Sequence, residues 1–103
     1  MRYIDKKEFD DLVQELLLNL EKLNVKKIFG IPRNGCIVAL ALEKHGMEIV
    51  QKPEDAQAIV DDVVETGRTF KEYMKYKTPL LSLVIKKPGD EWIKWWFEKP
   101  DQK

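Results

Sequence analysis

The stretch AIVDDVVETGRTF, residues 58 to 70, joins an apolar run to two adjacent acids and a turn that contains glycine. The apolar run predicts a buried strand over residues 57 to 61, which ends at Asp61 and Asp62. Gly67 can adopt backbone angles that let main-chain N–H groups converge, and a helix that begins there also favours an anion. The stretch therefore predicts that one edge of a sheet carries two carboxylates and an anion-binding loop.

Length and composition indicate one small globular domain over residues 1–103. The chain is 44% hydrophobic and 35% charged, which is typical of a folded domain. Lys plus Arg and Asp plus Glu are equal at 18 each, so the sequence predicts no nucleic-acid binding. No apolar run reaches about 18 residues, which predicts no membrane association. The single cysteine, Cys36, cannot form an internal disulfide, and we expect a cytoplasmic protein.

Strand and helix patterns alternate along the chain. Residues 5 to 23 predict an amphipathic helix capped by Asp5. The further elements are strands at residues 27–31, 48–51, 57–61 and 79–87, helices that begin near Cys36 and Gly67, and an irregular aromatic tail over residues 89–103. This alternation predicts an α/β domain with a small three-layer parallel sheet of about four core strands and helices on both faces. The expected strand order is second, first, third, fourth.

In this order the chain reverses direction between the first and third strands, where open α/β sheets bind ligands. The loops that follow these two strands are RNG, after Pro32, and the loop around Gly67. Only three arginines occur in the chain, and two of them, Arg33 and Arg68, fall in these loops. Arginine forms the forked contact that suits phosphate, so the placement favours a phosphate site. The alternative is a solvated turn with a helix cap.

The stretch IVDDVVETGRT resembles the motif with which type I phosphoribosyltransferases bind 5-phosphoribosyl 1-pyrophosphate (PRPP). In that motif an apolar strand leads to two acids, two apolar residues, an acid, and then Thr-Gly-basic-Thr. GIPRNG is similar to the pyrophosphate loop of the family. SLVIKK and WIKWWFE are similar to the base-binding strand and tail of its xanthine/guanine/hypoxanthine-type purine members. The resemblance extends over about residues 5 to 98.

The resemblance implies a role for each matching residue at the PRPP end of the site. Asp61 and Asp62 would hold the ribose hydroxyls, directly or through Mg²⁺. The 5′-phosphate of PRPP would be bound by the loop that consists of Glu65, Thr66, Gly67, Arg68 and Thr69. Glu65 would also act as the catalytic base toward the purine nitrogen, with Asp62 as the second catalytic acid.

The resemblance implies two further subsites. Pyrophosphate would lie against Arg33, Asn34 and Gly35, where the family often has a cis peptide bond. The base would contact Lys86, Trp92 and Ile93: Lys86 would approach the 6-oxo group, Trp92 would stack on the ring, and the main chain of Ile93 would face the exocyclic groups.

The chain departs from the family pattern in three places. Glu65 stands where the family usually has Asp, and Asn34 replaces the usual first glycine of the pyrophosphate loop. The largest departure is the connection KPEDA, residues 52 to 56, where the family has a long flexible loop that closes over the site. Such a lid keeps water from the reacting centre.

These features predict Mg²⁺-dependent transfer of a phosphoribosyl group from PRPP to a 6-oxopurine base, in a protein that we expect to be a homodimer. The first alternative is a regulatory module that binds PRPP or a nucleotide without turnover, which the short connection at residues 52 to 56 favours. The second is a phospho-accepting receiver domain. A receiver needs its acid pair on the first strand, whereas Asp61 and Asp62 follow the third.

Overall fold

A computed structural model describes residues 1–65 and 69–98, with Thr69 and Phe70 described by their backbone alone. The helices are α1 (Lys6–Lys22), α2 (Asn34–Glu43) and α3 (Thr69–Tyr73), with single 3₁₀ turns at Pro53–Asp55 and Met74–Tyr76. The strands are β1 (Arg2–Ile4), β2 (Lys27–Gly30), β3 (Glu48–Ile49), β4 (Ala58–Glu65), β5 (Leu80–Lys86) and β6 (Ile93–Trp95).

The main sheet is parallel, with strand order β3-β2-β4-β5. This confirms the order expected from the sequence. β4 is central: it pairs with β2 through Ala58, Ile59 and Val60, and with β5 from Ile59 to Glu65. The carboxyl ends of these strands therefore lie at one edge of the sheet, where open α/β sheets bind their ligands.

Helix α1 forms for the reasons that the sequence indicates. The Asp5 side chain accepts a hydrogen bond from the backbone N–H of Glu8, at 2.8 Å, and so caps the first turn. The buried face of α1 consists of Phe9, Val13, Leu16 and Leu20. This face joins one core cluster with Val38 and Leu42 of α2 and with Ile28 and Val60 of the sheet, so both long helices cover the same face.

The opposite face of the sheet carries the third layer, which is thin. Ile59 is fully buried but lies outside the main core cluster, as alternation along β4 requires. The short helix α3 contacts β4. Among the described residues, no helix is long and apolar enough to cross a membrane.

Strand β4 is longer than the sequence predicted. The predicted strand ended at Asp61, whereas β4 continues to Glu65 and stays in register with β5, from Asp61 opposite Ser82 to Glu65 opposite Lys86. Val63 and Val64 provide the apolar side chains that extend the strand past the two acids. Both acids therefore lie inside a strand, with Asp61 buried and Asp62 half-buried.

The prediction of an irregular tail was wrong, because β6 lies within it. β6 pairs in parallel with β1, with Ile93 opposite Arg2 and Trp95 opposite Ile4, to form a separate two-stranded sheet. Ile93 and Trp95 are buried while Lys94 between them is half-buried, which is the alternation of a strand. The two ends of the described chain are thus joined by backbone hydrogen bonds.

Phe9 connects α1 to this terminal sheet. Its ring centroid lies 5.8 Å from that of Trp95, 5.9 Å from that of Trp96 and 5.6 Å from that of Phe97, each in an edge-to-face arrangement. Such pairs contribute beyond the apolar area that they bury. The aromatic cluster therefore attaches the tail to the main core.

We predict that Phe9→Ala lowers the free energy of unfolding by about 3–5 kcal/mol, because it leaves a cavity where three rings meet. Urea denaturation followed by tryptophan fluorescence measures the change. The control is Leu18→Ala on the same helix, where the side chain is 58% exposed and the expected cost is below about 1 kcal/mol. Equal losses in the two variants would show that the cluster does not hold the tail.

Candidate functional site

A pocket of about 280 Å³ lies at the carboxyl edge of the main sheet. Its walls come from α2, β4, β5 and the segment around β6, and they consist of Asn34, Asp62, Val63, Glu65, Lys86, Trp92, Ile93 and Glu98. Six of these eight residues belong to the site predicted from the sequence. The fold therefore brings together residues from four separate parts of the chain, with three acids and one lysine among them.

Asp62 faces this pocket and is held from two sides. Its Oδ2 accepts a hydrogen bond from the indole Nε1–H of Trp95 at 2.9 Å, and a second from the Asn34 side-chain amide at 3.0 Å. Two donors on one carboxylate oxygen stabilise the negative charge. The fold itself therefore supplies hydrogen-bond partners for Asp62.

Asp61 is not among the residues that line this pocket, and it is only 9% exposed. Its Oδ1 accepts a hydrogen bond from the backbone N–H of Asp62, at 2.8 Å. Burial, together with the neighbouring Asp62 carboxyl group, raises the pKa of Asp61 from its ordinary value of 3.8 to about 8. The pair thus divides into a buried acid that retains its proton at neutral pH and a second acid that faces the pocket.

Glu65 and Lys86 form an ion pair at the far end of β4. They lie directly opposite each other on β4 and β5, and Lys86 Nζ is 3.3 Å from Glu65 Oε2. The lysine side chain is 14% exposed and the glutamate side chain 36% exposed. A lysine ammonium has three donors. Lys86 can therefore keep Glu65 and still donate to an acceptor in the pocket.

The loop between β2 and α2 carries the three residues predicted to bind pyrophosphate. The peptide bond between Pro32 and Arg33 is cis, and Arg33 is exposed at the residue that precedes α2. Gly35 is buried, and a Cβ atom there would lie 2.9 Å from the carbonyl oxygen of Val60 and 3.1 Å from Oδ1 of Asp61. Glycine at this position lets α2 approach the backbone of β4 where the two acids stand.

The structure places these three residues in different surroundings. Of the three, only Asn34 lines the pocket. Its amide donates to Asp62, whereas Gly35 packs against β4 and Arg33 is exposed. That the three residues bind pyrophosphate together stays a prediction.

The base end of the predicted site comes from the terminal sheet. Trp92 is 69% exposed at the pocket wall, and Ile93 is held in β6 opposite Arg2. Glu98 also lines the pocket, and its Oε1 accepts a hydrogen bond from the backbone N–H of Trp95 at 2.9 Å. Sequence reasoning missed Glu98 and Trp95. The short alternation of Ile93, Lys94 and Trp95 could have indicated a strand with Trp95 on the buried side.

The predicted 5′-phosphate loop falls largely outside the described residues. Thr66, Gly67 and Arg68 are not described, and of Thr69 the structure establishes that it begins α3. Tyr73 of α3 lies near the site: burial and the charges of Glu72 and Asp61 raise the pKa of its hydroxyl. The anion-binding function of this loop remains a prediction.

The acid pair fits Mg²⁺ only as an ion that the protein shares with a phosphorylated substrate. Among residues 1–65 and 69–98, no group of three or more His, Cys, Asp and Glu side chains is arranged to hold a metal. Mg²⁺ is commonly bound through one or two carboxylates together with substrate phosphates. Asp62 suits this mode better than Asp61, because Asp61 would first have to release its proton. The donor set therefore fits an ion that arrives with a phosphorylated substrate.

We predict that Asp61→Asn makes the protein more stable at alkaline pH. The unfolded chain releases the Asp61 proton near pH 3.8, whereas the folded chain keeps it until about pH 8. The contribution of this proton to stability is therefore complete below pH 3.8 and is lost as pH rises toward 8. At pH 8.5 the variant should exceed the unaltered protein by about 1–3 kcal/mol, and this difference should vanish near pH 4.

Urea denaturation at pH 4, 6 and 8.5 measures the free energy of unfolding and so tests this prediction. Asn retains an oxygen that can accept the hydrogen bond from the Asp62 backbone, so the substitution changes mainly the charge. The control is Asp55→Asn in the exposed 3₁₀ turn, whose stability should follow that of the unaltered protein at every pH. A constant difference between Asp61→Asn and the unaltered protein across this range would refute the buried, protonated acid.

Comparison with solved structures identifies the fold of this chain. No protein-family model and no curated protein sequence matches the chain. Among solved structures, a purine phosphoribosyltransferase from Pyrococcus horikoshii superposes with a TM-score of 0.71 at 18% identity, over 99% of this chain and 97% of that one. A Helicobacter pylori xanthine-guanine-hypoxanthine phosphoribosyltransferase gives a TM-score of 0.66 at 13% identity, over 94% and 92%. The chain is therefore similar along nearly its whole length to these proteins, and its fold is that of the type I phosphoribosyltransferases.

Proposed function

We propose that this protein is a cytoplasmic phosphoribosyltransferase that transfers the phosphoribosyl group of PRPP to a 6-oxopurine base and releases pyrophosphate. One observation carries the proposal: Asp62, Glu65, Lys86 and Trp92 meet in one pocket at the ligand-binding edge of the sheet. Each of these residues has a chemical role that the transfer needs, and the fold is one that purine phosphoribosyltransferases use.

The reaction breaks the bond between C1′ of the ribose and the pyrophosphate oxygen, and forms a bond from C1′ to a purine nitrogen. Positive charge develops on the ribose while this exchange occurs. The carboxylates of Asp62 and Glu65 can stabilise that charge without reorganisation, because the fold already holds them. The proton of the attacking nitrogen would pass to Glu65, which lines the same pocket.

The substrate contacts follow the sequence prediction. Asp62 would contact the ribose hydroxyls, with Asp61, the second predicted ribose acid, outside the pocket lining. Asp62 would also hold Mg²⁺, which would neutralise negative charge on the substrate phosphates. The 5′-phosphate would lie at the loop of residues 66–69, and pyrophosphate beside Arg33. Trp92 offers an exposed ring for stacking. A homodimer is also part of the proposal, and analytical ultracentrifugation tests it.

A binding module without turnover is the second candidate. The observation that favours it is the connection between β3 and β4, which spans only residues 50–57 and includes one 3₁₀ turn. A segment this short has little length with which to close over the pocket and exclude water. Bound PRPP would then be held without efficient transfer.

Calorimetric titration with PRPP, with and without Mg²⁺, combined with an assay for nucleotide formation from guanine, separates the two candidates. Binding with turnover supports the enzyme, and binding without turnover in the presence of guanine, hypoxanthine or xanthine supports the module. Absence of binding to PRPP and to guanosine 5′-monophosphate (GMP) under all these conditions would refute both.

We predict that the protein prefers GMP over adenosine 5′-monophosphate (AMP) and that Lys86→Ala removes most of this preference. A 6-amino group would meet the Lys86 donor with another donor, and such a mismatch gives roughly hundredfold discrimination. Trp92→Ala should weaken both nucleotides alike, by about tenfold, since stacking does not read the 6-position. Calorimetric titration of each variant with each nucleotide measures the ratios.

The control for Lys86→Ala is Lys87→Ala, the adjacent and exposed lysine, which should leave the ratio unchanged. Circular dichroism and urea denaturation establish that each variant is folded, because Lys86→Ala also leaves Glu65 without its ion-pair partner. Equal affinity of the unaltered protein for GMP and AMP would refute the 6-oxopurine assignment and leave the PRPP site unaffected.

A further inference from the structure

Two hydrogen bonds converge on a single oxygen of the pocket-facing acid. The Oδ2 of Asp62 accepts from Trp95 Nε1 at 2.9 Å and from Asn34 Nδ2 at 3.0 Å. A carboxylate has about four lone-pair sites, two on each oxygen. The two donors occupy both sites of Oδ2, so the capacity of Asp62 to accept a hydrogen bond from a ligand lies on Oδ1.

The Trp95 donor is fixed by the core. The side chain is 1% exposed, its ring stacks on Phe97 at a centroid distance of 5.9 Å with an interplanar angle of 9°, and Phe9 packs against it edge to face. Its backbone is held by pairing with Ile4 of β1. An indole N–H held this firmly loses little entropy when it bonds to Asp62, so it sets the direction of the carboxylate.

The Asn34 donor approaches from the other side. Asn34 is the first residue of α2, and the next residue, Gly35, lets the helix start pack against β4 beside the acids. The amide of Asn34 is therefore directed to the ribose acid. The second N–H of this amide stays available to another acceptor, such as pyrophosphate, without loss of the bond to Asp62.

We propose that Asn34 and Trp95 are positioning residues that hold Oδ2 of Asp62 from two sides, and so direct Oδ1 to the ribose hydroxyls of a bound nucleotide. This inference rests on the proposed function, because it requires a ribose ligand in the pocket. It makes β6, at the end of the described chain, part of the ribose subsite as well as of the base subsite.

The test uses two nucleotides without pyrophosphate: GMP, and 2′,3′-dideoxyguanosine 5′-monophosphate, which lacks both ribose hydroxyls. Asn34→Ala and Trp95→Phe should each lower the affinity for GMP about 5- to 20-fold, since each leaves the Asp62 carboxylate with one of its two side-chain donors. Neither should change the affinity for the dideoxy nucleotide by more than about twofold, since that ligand makes no use of Asp62. Calorimetric titration measures all of these affinities.

Asp62→Ala and a matched aromatic variant complete the design. In an Asp62→Ala background, Asn34→Ala should cause little further loss of GMP affinity, because a residue that acts through the Asp62 carboxylate cannot act when that acceptor is removed. Trp96→Phe is the control for Trp95→Phe: it alters an adjacent ring in the same aromatic cluster that makes no hydrogen bond to Asp62 among the described contacts. Its affinity for GMP should match that of the unaltered protein.

Three results would overturn the inference and leave the proposed function standing. The first is unchanged GMP affinity in Asn34→Ala. This result alone overturns the inference if Trp95→Phe does not fold. The second is an equal loss for GMP and the dideoxy nucleotide, which would indicate a general structural effect. The third is a loss for PRPP alone, which would show that Asn34 acts on pyrophosphate and not through Asp62. If the unaltered protein binds neither GMP nor PRPP, the proposed function fails and the inference fails with it.

Discussion

The unequal length of β2 and β4 is the constraint on which the rest of the site depends. β2 ends at Gly30, opposite Val60, while β4 continues for five further residues with β5 alone beside it. The chain that leaves β2 hydrogen-bonds once more to β4, through the N–H of Ile31 at 2.9 Å, and then turns into α2. The edge of β4 beyond Val60 is therefore lined by a loop and a helix start instead of a strand. A strand there would fill the space that the pocket occupies.

Unequal surroundings resolve the conflict between the two acids of β4. Adjacent carboxylates repel each other, and burial of both as charged groups would be costly. Asp62 accepts hydrogen bonds from two side chains, whereas Asp61 is buried and keeps its proton, because burial and the neighbouring carboxyl group raise its pKa. The two acids are thus electrostatically different before any ligand binds.

The sequence predicted the features that depend on local patterns. The helix face of Phe9, Val13, Leu16 and Leu20, the cap at Asp5 and the parallel strand order all follow from periodicity and from the connection rules of α/β folds. The resemblance of short motifs predicted six of the residues that line the pocket. What it could not provide was the extension of β4 to Glu65, since Val63 and Val64 are compatible with either a loop or a strand, and only pairing with β5 decides between them.

The pairing of β1 with β6 could not be predicted from the sequence, for a related reason. It joins segments at opposite ends of the chain, each only three residues long, with no turn between them to indicate a hairpin. The hydrogen bond from Trp95 to Asp62 depends on that pairing, so it could not be predicted from the sequence either. Glu98 enters the pocket for the same reason, because the turn that holds it follows β6 directly.

The two parts of the pocket therefore form by different routes. The ribose and phosphate side rests on the main sheet, through β2, α2 and β4, while the base side rests on β6 and hence on β1 at the other end of the chain. Contacts between distant segments are the last to become favourable during folding, because loop closure must precede them. Trp95 connects the two parts: its backbone belongs to the base side, and its indole N–H holds the acid of the ribose side. Loss of the terminal sheet would therefore disturb the ribose subsite through one hydrogen bond, even though every strand of the main sheet remained in place.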